Sequence, residues 1–203
     1  MRFSRLLTGL ILLALTSVAR ADVAPLDLVR STTDDLIAEM RTHRADYVRD
    51  KGKLFAMAEQ KVVPYFDFAR MSQWVLGRSW KKATPDQREK FVAEFRALLV
   101  RTYSTALLNY TDEKISYLPV KAAADASDVV VRTEVQSRDG RPPVPVYYSF
   151  YRNKAGAWKV YDVSIEGVSI VTNYRAVYAG KIRDLGMDGL IASLAEQNKT
   201  ASQ

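Results

Sequence analysis

The chain has no cysteine and a single histidine, His43, among its 203 residues. The first absence removes disulfides, thiolate metal sites and cysteine nucleophiles together. The second leaves no multi-histidine metal site and no second imidazole for a proton relay. Gly-x-Ser-x-Gly elbows, glycine-rich phosphate loops and His-Glu-x-x-His pairs are missing as well, so the usual signatures of hydrolases, nucleotide-binding proteins and zinc proteases have no foothold. The charge is one-sided but mild. A formal +7, from 30 Lys+Arg against 23 Asp+Glu, with no Lys/Arg run longer than two, makes no case for nucleic-acid binding. A weak attraction to anionic membrane surfaces is the most that such a surplus supports.

What is present begins with an address. Arg2 and Arg5 precede an apolar run from Leu6 to Val18, and Ala19-Arg20-Ala21 then supplies the small-x-small pattern of a signal-peptidase site. Residues 1–21 therefore read as an export signal cleaved before Asp22. The run is too short for a comfortable membrane span, and neither a twin-arginine pair nor a lipid-accepting cysteine accompanies it, so release as a soluble periplasmic protein is expected. Cleavage leaves 203 − 21 = 182 residues and, because three arginines go with the signal, a net charge of +4. A chain of that size buries about 70% of its unfolded surface and needs no disulfide to hold a core.

Residues 22–203 read as one domain with a helical front (22–110), a stranded middle (114–166) and a helical tail (169–197). Leu26, Val29, Leu36, Ile37 and Met40 recur at helical spacing from Pro25 to about Thr42, a second helix is expected from Asp50 to Val63, and a short third one ends at Gly77. Thr84-Pro85-Asp86-Gln87 carries every element of a helix start: a hydroxyl N-cap, a proline at N1, an acid in the first turn and a capping-box Gln. The long stripe behind it runs from Phe91 to Tyr110. The period then falls from 3.6 to 2, which gives four strands near Ile115–Leu118, 129–135, 144–152 and 158–165 in an antiparallel meander. Asp139-Gly140 and the 153–156 stretch are the turns. Pro143 and Pro145 point to a sheet edge or a bulge at the start of the third strand. In the tail, Ser169 caps a helix that Gly180 is expected to break.

Little of this is catalytic equipment. His43, among Arg41, Thr42 and Arg44, reads as an exposed residue in a positive neighbourhood. Asp162 and Glu166 at the end of the last strand, near Tyr148, Tyr151 and Tyr161, could form a carboxylate-tyrosine pair for proton transfer beside a carbonyl, or could simply bind backbone amides at a strand end. The amount of large apolar surface, with 11 Tyr, 7 Phe and 3 Trp, suits either a solid core or a gap lined by hydrocarbon.

Two stretches are specific. Phe66-Asp67-Phe68, Met71-Ser72, Val75-Leu76-Gly77, Trp80, Ala83-Thr84-Pro85, Gln87-Arg88, Phe91, Glu94-Phe95-Arg96, Leu98-Leu99 and Thr102-Tyr103 form the first. Trp158 to Val163, Ile165-Glu166-Gly167-Val168-Ser169 and Asn173-Tyr174-Arg175 form the second. In this order they resemble the MlaC, or toluene-tolerance, family of periplasmic phospholipid carriers. The resemblance implies an α+β fold in which helices pack over a curved four-stranded antiparallel sheet, a nuclear-transport-factor-like cone enclosing an apolar cavity. It implies a carrier and not an enzyme, which moves glycerophospholipid between outer and inner membrane and so maintains outer-membrane lipid asymmetry. The implied partners are an outer-membrane lipoprotein-porin complex and an inner-membrane ABC transporter with a substrate-binding ring. The cargo is phospholipid, with no cofactor and no metal, and the working unit is a monomer. A cone-fold isomerase or hydrolase using Asp162 with a tyrosine is the alternative. Motif position and strand parity make Trp74, Val75, Leu76, Phe95, Leu99, Tyr103, Leu107, Val146, Tyr148, Phe150, Val163, Val168 and Val171 the expected lipid-lining residues.

Overall fold

A computed structural model describes residues 24–109, 113–123, 125–136 and 140–200. The expected signal segment, the end of the α5 stripe at Tyr110 and Asp139 of the expected turn lie outside those residues.

Helix α1 (Pro25–Arg49) starts on a proline whose missing N–H is no loss in a first turn, with Asp27 at the positive end of the helix dipole. It runs past the expected stop near Thr42 because neither Gly nor Pro interrupts 26–51, and because Met40 and Tyr47 are buried on its inner face. Asp50 then breaks the helix and starts the next, its carboxylate accepting the N–H groups of Gly52 (2.9 Å) and Lys53 (3.4 Å) at the head of α2 (Lys51–Lys61). A 3-10 turn at Val63–Tyr65 follows. Asp67 caps α3 (Phe68–Leu76) through the N–H of Arg70 at 2.8 Å. That helix ends, as expected, at Gly77, whose φ of +52° suits glycine alone. The single turn α4 (Arg78–Lys82) was not legible in the pattern. The capping box of α5 (Pro85–Leu107) closes in both directions: the Gln87 N–H donates to Thr84 Oγ1 at 3.2 Å, and the Thr84 N–H donates to Gln87 Oε1 at 3.0 Å.

The sheet has five strands, not four. β1 (Lys114–Tyr117), β2 (Asp128–Gln136), β3 (Val144–Arg152), β4 (Trp158–Ile165) and β5 (Val168–Ser169) follow one another in space as in sequence, every neighbour antiparallel. The extra strand arises because Glu166 and Gly167 both take positive φ (51° and 82°), the requirement of a two-residue type I′ hairpin. Glu-Gly is not the Asn-Gly or Asp-Gly pair by which such turns are read from sequence. β3 is an inner strand, yet its ladder to β4 begins only at Val146–Ile165, so Pro145 is paired with Glu134 of β2 alone and needs no N–H towards β4. The bulge lies elsewhere, in β4: Ser149 opposes Asp162 and Phe150 opposes Val160, which leaves Tyr161 as the extra residue.

The tail helix α6 (Ile170–Thr200) is bent at Gly186 (φ 72°, ψ −178°), while Gly180 stays helical. The expected break is therefore displaced by six residues, since a glycine is tolerated within a helix wherever packing favours continuation. The main core joins α3, α5 and α6 to the inner face of the sheet through Met71, Phe91, Phe95, Val131, Phe150 and Leu190, all nearly inaccessible. A smaller cluster of Met40, Tyr47, Leu54 and Met57 holds α1 to α2.

Candidate functional site

The core is not filled. Between α1, α2, the 3-10 turn, α3 and α5 on one side and β2, β3 and β4 on the other lies a cavity of about 860 Å³. Helix α5 turns Leu99, Val100, Tyr103, Ser104 and Leu107 towards it, and α1 contributes Leu28, Val29, Thr32 and Leu36. Alternation along β3 brings Val144, Val146, Tyr148 and Phe150 to the same side. In β4 strict alternation would separate Val160 from Val163, but the extra residue at Tyr161 brings both onto the cavity. Its deep end is set by buried residues such as Met71, Phe150 and Val160. The exposed lining residues mark the opening: Arg141, Pro142 and Pro143 before β3, Glu166 after β4, and Ala106 and Asn109 at the end of α5.

The walls are electrically quiet. Burial pushes the phenols of Tyr148 and Tyr103 upward, so both stay neutral at ordinary pH. Thr133 ties its hydroxyl to the Val146 carbonyl at 2.9 Å. The Thr32 hydroxyl, on the cavity wall, is buried without a hydrogen-bond partner. Among the described residues the charged side chains on the lining are Glu113, Arg141 and Glu166. Such a space accepts hydrocarbon within and polar groups at its edge. No group of His, Asp or Glu able to hold a metal ion occurs among the described residues. None of the described helices is long and apolar enough to cross a membrane.

Of the thirteen expected lining residues, the structure places Leu99, Tyr103, Leu107, Val146, Tyr148, Phe150 and Val163 on the cavity. Val75, Leu76 and Val171 lie in the solid core instead. Phe95 is buried one turn before Leu99, stacked on Phe91 at 5.6 Å and edge-on to Tyr174 at 5.2 Å, so it faces α6. Trp74 is 47% exposed and packs on Tyr161 at 5.3 Å outside the cavity, and Val168 is 58% exposed on the short β5. Sequence reasoning missed the whole contribution of α1 and the 62–68 segment (Val62, Val63, Phe66, Phe68). The stripe Val29–Leu36 was the available signal for α1, but which side of a stripe meets a void and which a neighbour is decided only by packing.

Asp162 does not enter the cavity lining. Its carboxylate accepts the Ser169 hydroxyl at 2.6 Å and the Val171 N–H at 3.1 Å, a strand-end carboxylate that caps α6. Tyr151 donates instead to Asp67, and the Arg70 guanidinium lies 3.8 Å over its ring. Among the described residues no hydrogen bond joins Asp162 to Tyr148, Tyr151 or Tyr161. His43 stands between the carboxylates of Glu39 (3.8 Å) and Asp46 (3.9 Å), one helical turn to either side, so its neighbourhood is not the purely positive one that the adjacent arginines suggested.

The family model described as MlaC protein matches residues 30–196. The chain belongs to the MlaC family. Relatives include the intermembrane phospholipid transport system binding protein MlaC of Haemophilus influenzae, 28% identical over 182 residues, which cover 89% of this chain and 85% of that protein. The toluene tolerance protein ttg2D of Pseudomonas putida is 28% identical over 184 residues, covering 87% and 84%. Among solved structures, a phospholipid-binding protein from Ralstonia solanacearum, in complex with a phospholipid, superimposes with a TM-score of 0.81 at 35% identity, over 89% of this chain and 100% of that one. In this MlaC-family chain the helix-and-sheet architecture and the apolar cavity are thus two aspects of one arrangement.

Proposed function

We propose that this chain is a periplasmic phospholipid carrier that moves glycerophospholipid between the outer and inner membranes and thereby supports outer-membrane lipid asymmetry. The observation that carries the reading is the cavity. At about 30 Å³ for a water-sized group, 860 Å³ accommodates on the order of thirty methylenes, the hydrocarbon of a two-tailed lipid. The names of the relatives, a phospholipid transport binding protein and a phospholipid-bound structure, support the same cargo.

The need for such a protein follows from transfer energy. Each CH₂ exposed to water costs about 0.8 kcal/mol, so thirty of them raise a barrier on the order of 20 kcal/mol against unassisted crossing. A pocket as apolar as a bilayer exchanges one hydrocarbon environment for another at small net cost, which is what loading and unloading both require. On this reading residues 22–203 are one carrier domain, left after cleavage of the export signal, and the helices and sheet form a nuclear-transport-factor-like cone around the tails. Leu99, Tyr103, Leu107, Val146, Tyr148, Phe150 and Val163 are lipid-contacting residues. The partners are a lipoprotein-porin complex in the outer membrane and an ABC transporter with a substrate-binding ring in the inner one. No bond is made or broken and no cofactor takes part.

Native mass spectrometry and organic extraction of the mature chain, purified without detergent, test this. Bound phospholipid near one molecule per chain is expected. An empty protein that also accepts no lipid from vesicles overturns the reading.

A further inference from the structure

Glu166 stands where its residue type is costly. Its φ of 51° is the only positive value at a non-glycine residue among the described residues. It fills the first central position of the β4–β5 turn, where Asn, Asp or Gly is the ordinary occupant. Its N–H donates to the Pro145 carbonyl at 3.0 Å, which pins the turn against the start of β3. Just before that point, Arg141, Pro142, Pro143 and Val144 line the cavity, as Glu166 itself does. The Glu166 carboxylate has no hydrogen-bond or ion-pair partner among the described residues, whereas Arg141 already has an interaction of its own. One edge of the opening thus presents a guanidinium and an uncommitted carboxylate from adjoining segments.

A wholly anionic head group complements only the first of these. A phosphate linked to an ammonium complements both, with the phosphate towards Arg141 and the amine towards Glu166. We propose that Glu166 is a specificity-determining residue that biases this cavity towards lipids with an amine-bearing, zwitterionic head over lipids with a purely anionic one. The inference rests on the carrier reading above and adds a head-group preference that the apolar walls cannot supply. Because both charges are exposed to water and salt, the effect is a bias and not a gate: about two- to fivefold, the range that exposed ion pairs support.

The test is competition from a single mixed vesicle, so that general attraction of a basic protein to the surface is common to both lipids. Delipidated protein is incubated with vesicles of equal phosphatidylethanolamine and phosphatidylglycerol with matched acyl chains, then reisolated, and the extracted lipids are counted. The wild type should hold the ethanolamine lipid in excess, the excess should shrink in high salt, and Glu166→Lys should reverse it. Glu166→Gln removes the charge at constant size, and Glu166→Gly removes it while relieving the positive φ, so at least one neutral variant folds; both should return the ratio to that of the vesicle. A wild-type ratio equal to the vesicle's, or an excess that survives in Glu166→Gly, overturns the proposal while leaving the carrier reading intact. Failure to take up either lipid overturns both.

Discussion

Arg175 lays its guanidinium over Gly77, with Nη2 3.2 Å from the point where a Cβ on that glycine would stand. The contact joins the end of α3 to the second turn of α6, and two separate features oppose a side chain at the glycine. Its φ of +52° with ψ −119° is open to glycine only, and a Cβ there would press on the guanidinium, which would have to shift slightly. Gly77→Ala should therefore cost about 1–3 kcal/mol in denaturant unfolding. Arg175→Ala in the same background should recover only the steric part, which a double-mutant cycle isolates. Full recovery would place the whole cost in the contact.

Tryptophan substitutions should separate wall from core. Val75 is 2% exposed in the solid core, so Val75→Trp should overpack it and cost about 1–3 kcal/mol or more in stability. Val146 borders the cavity, and Val146→Trp should project into free volume, lowering the lipid recovered per chain with a smaller stability change. Equal destabilisation by both, with lipid content unaltered, would contradict the assignment.

The phenol of Tyr47 donates to the Glu39 carboxylate at 2.6 Å. Burial first, then this bond and the carboxylate charge, push Tyr47 up to about 12 from 10.0. The folded state holds the proton more tightly than the unfolded one, so the contribution is complete below pH 10 and is lost as pH rises through about 12. Glu39 is lowered, chiefly by the same bond, so its share is complete above its ordinary 4.5 and fades as pH falls through the depressed folded value. Tyr47→Phe should cost about 1 kcal/mol near pH 7. The gap between wild type and variant should narrow towards both extremes, as denaturation curves followed from pH 7 down the acid limb and up to pH 11.5 will read.

Thr84→Ala opens the capping box and should cost about 1 kcal/mol. Thr84→Ser, which keeps the acceptor oxygen, should recover most of it. Neither change should alter lipid content, because Thr84 does not line the cavity.

Local chemistry made the element order legible. The capping box at Thr84, the stop at Gly77 and the alternation Val144–Phe150 are signals carried by neighbours within a few residues, and the structure reproduces each. What escaped is non-local. Parity assigned Val163 but not Val160, because a single bulged residue at Tyr161 shifts the phase of β4. Phe95 and Leu99 lie one turn apart on a single stripe, and only the approach of α6 gives the first to Tyr174 and leaves the second facing empty space. β5 was hidden because Glu-Gly does not advertise a tight turn.

A hollow of this size is also a thermodynamic debt. Missing packing partners cost about 24 cal/mol per Å³ where the walls cannot collapse, so the vacant protein should close partly or melt early, and cargo should act as a removable part of the hydrophobic interior. Melting temperature then becomes a gauge of occupancy, rising with lipid supply by mass action. A partner that strips the lipid must leave behind a looser molecule, primed by its own instability to be filled again.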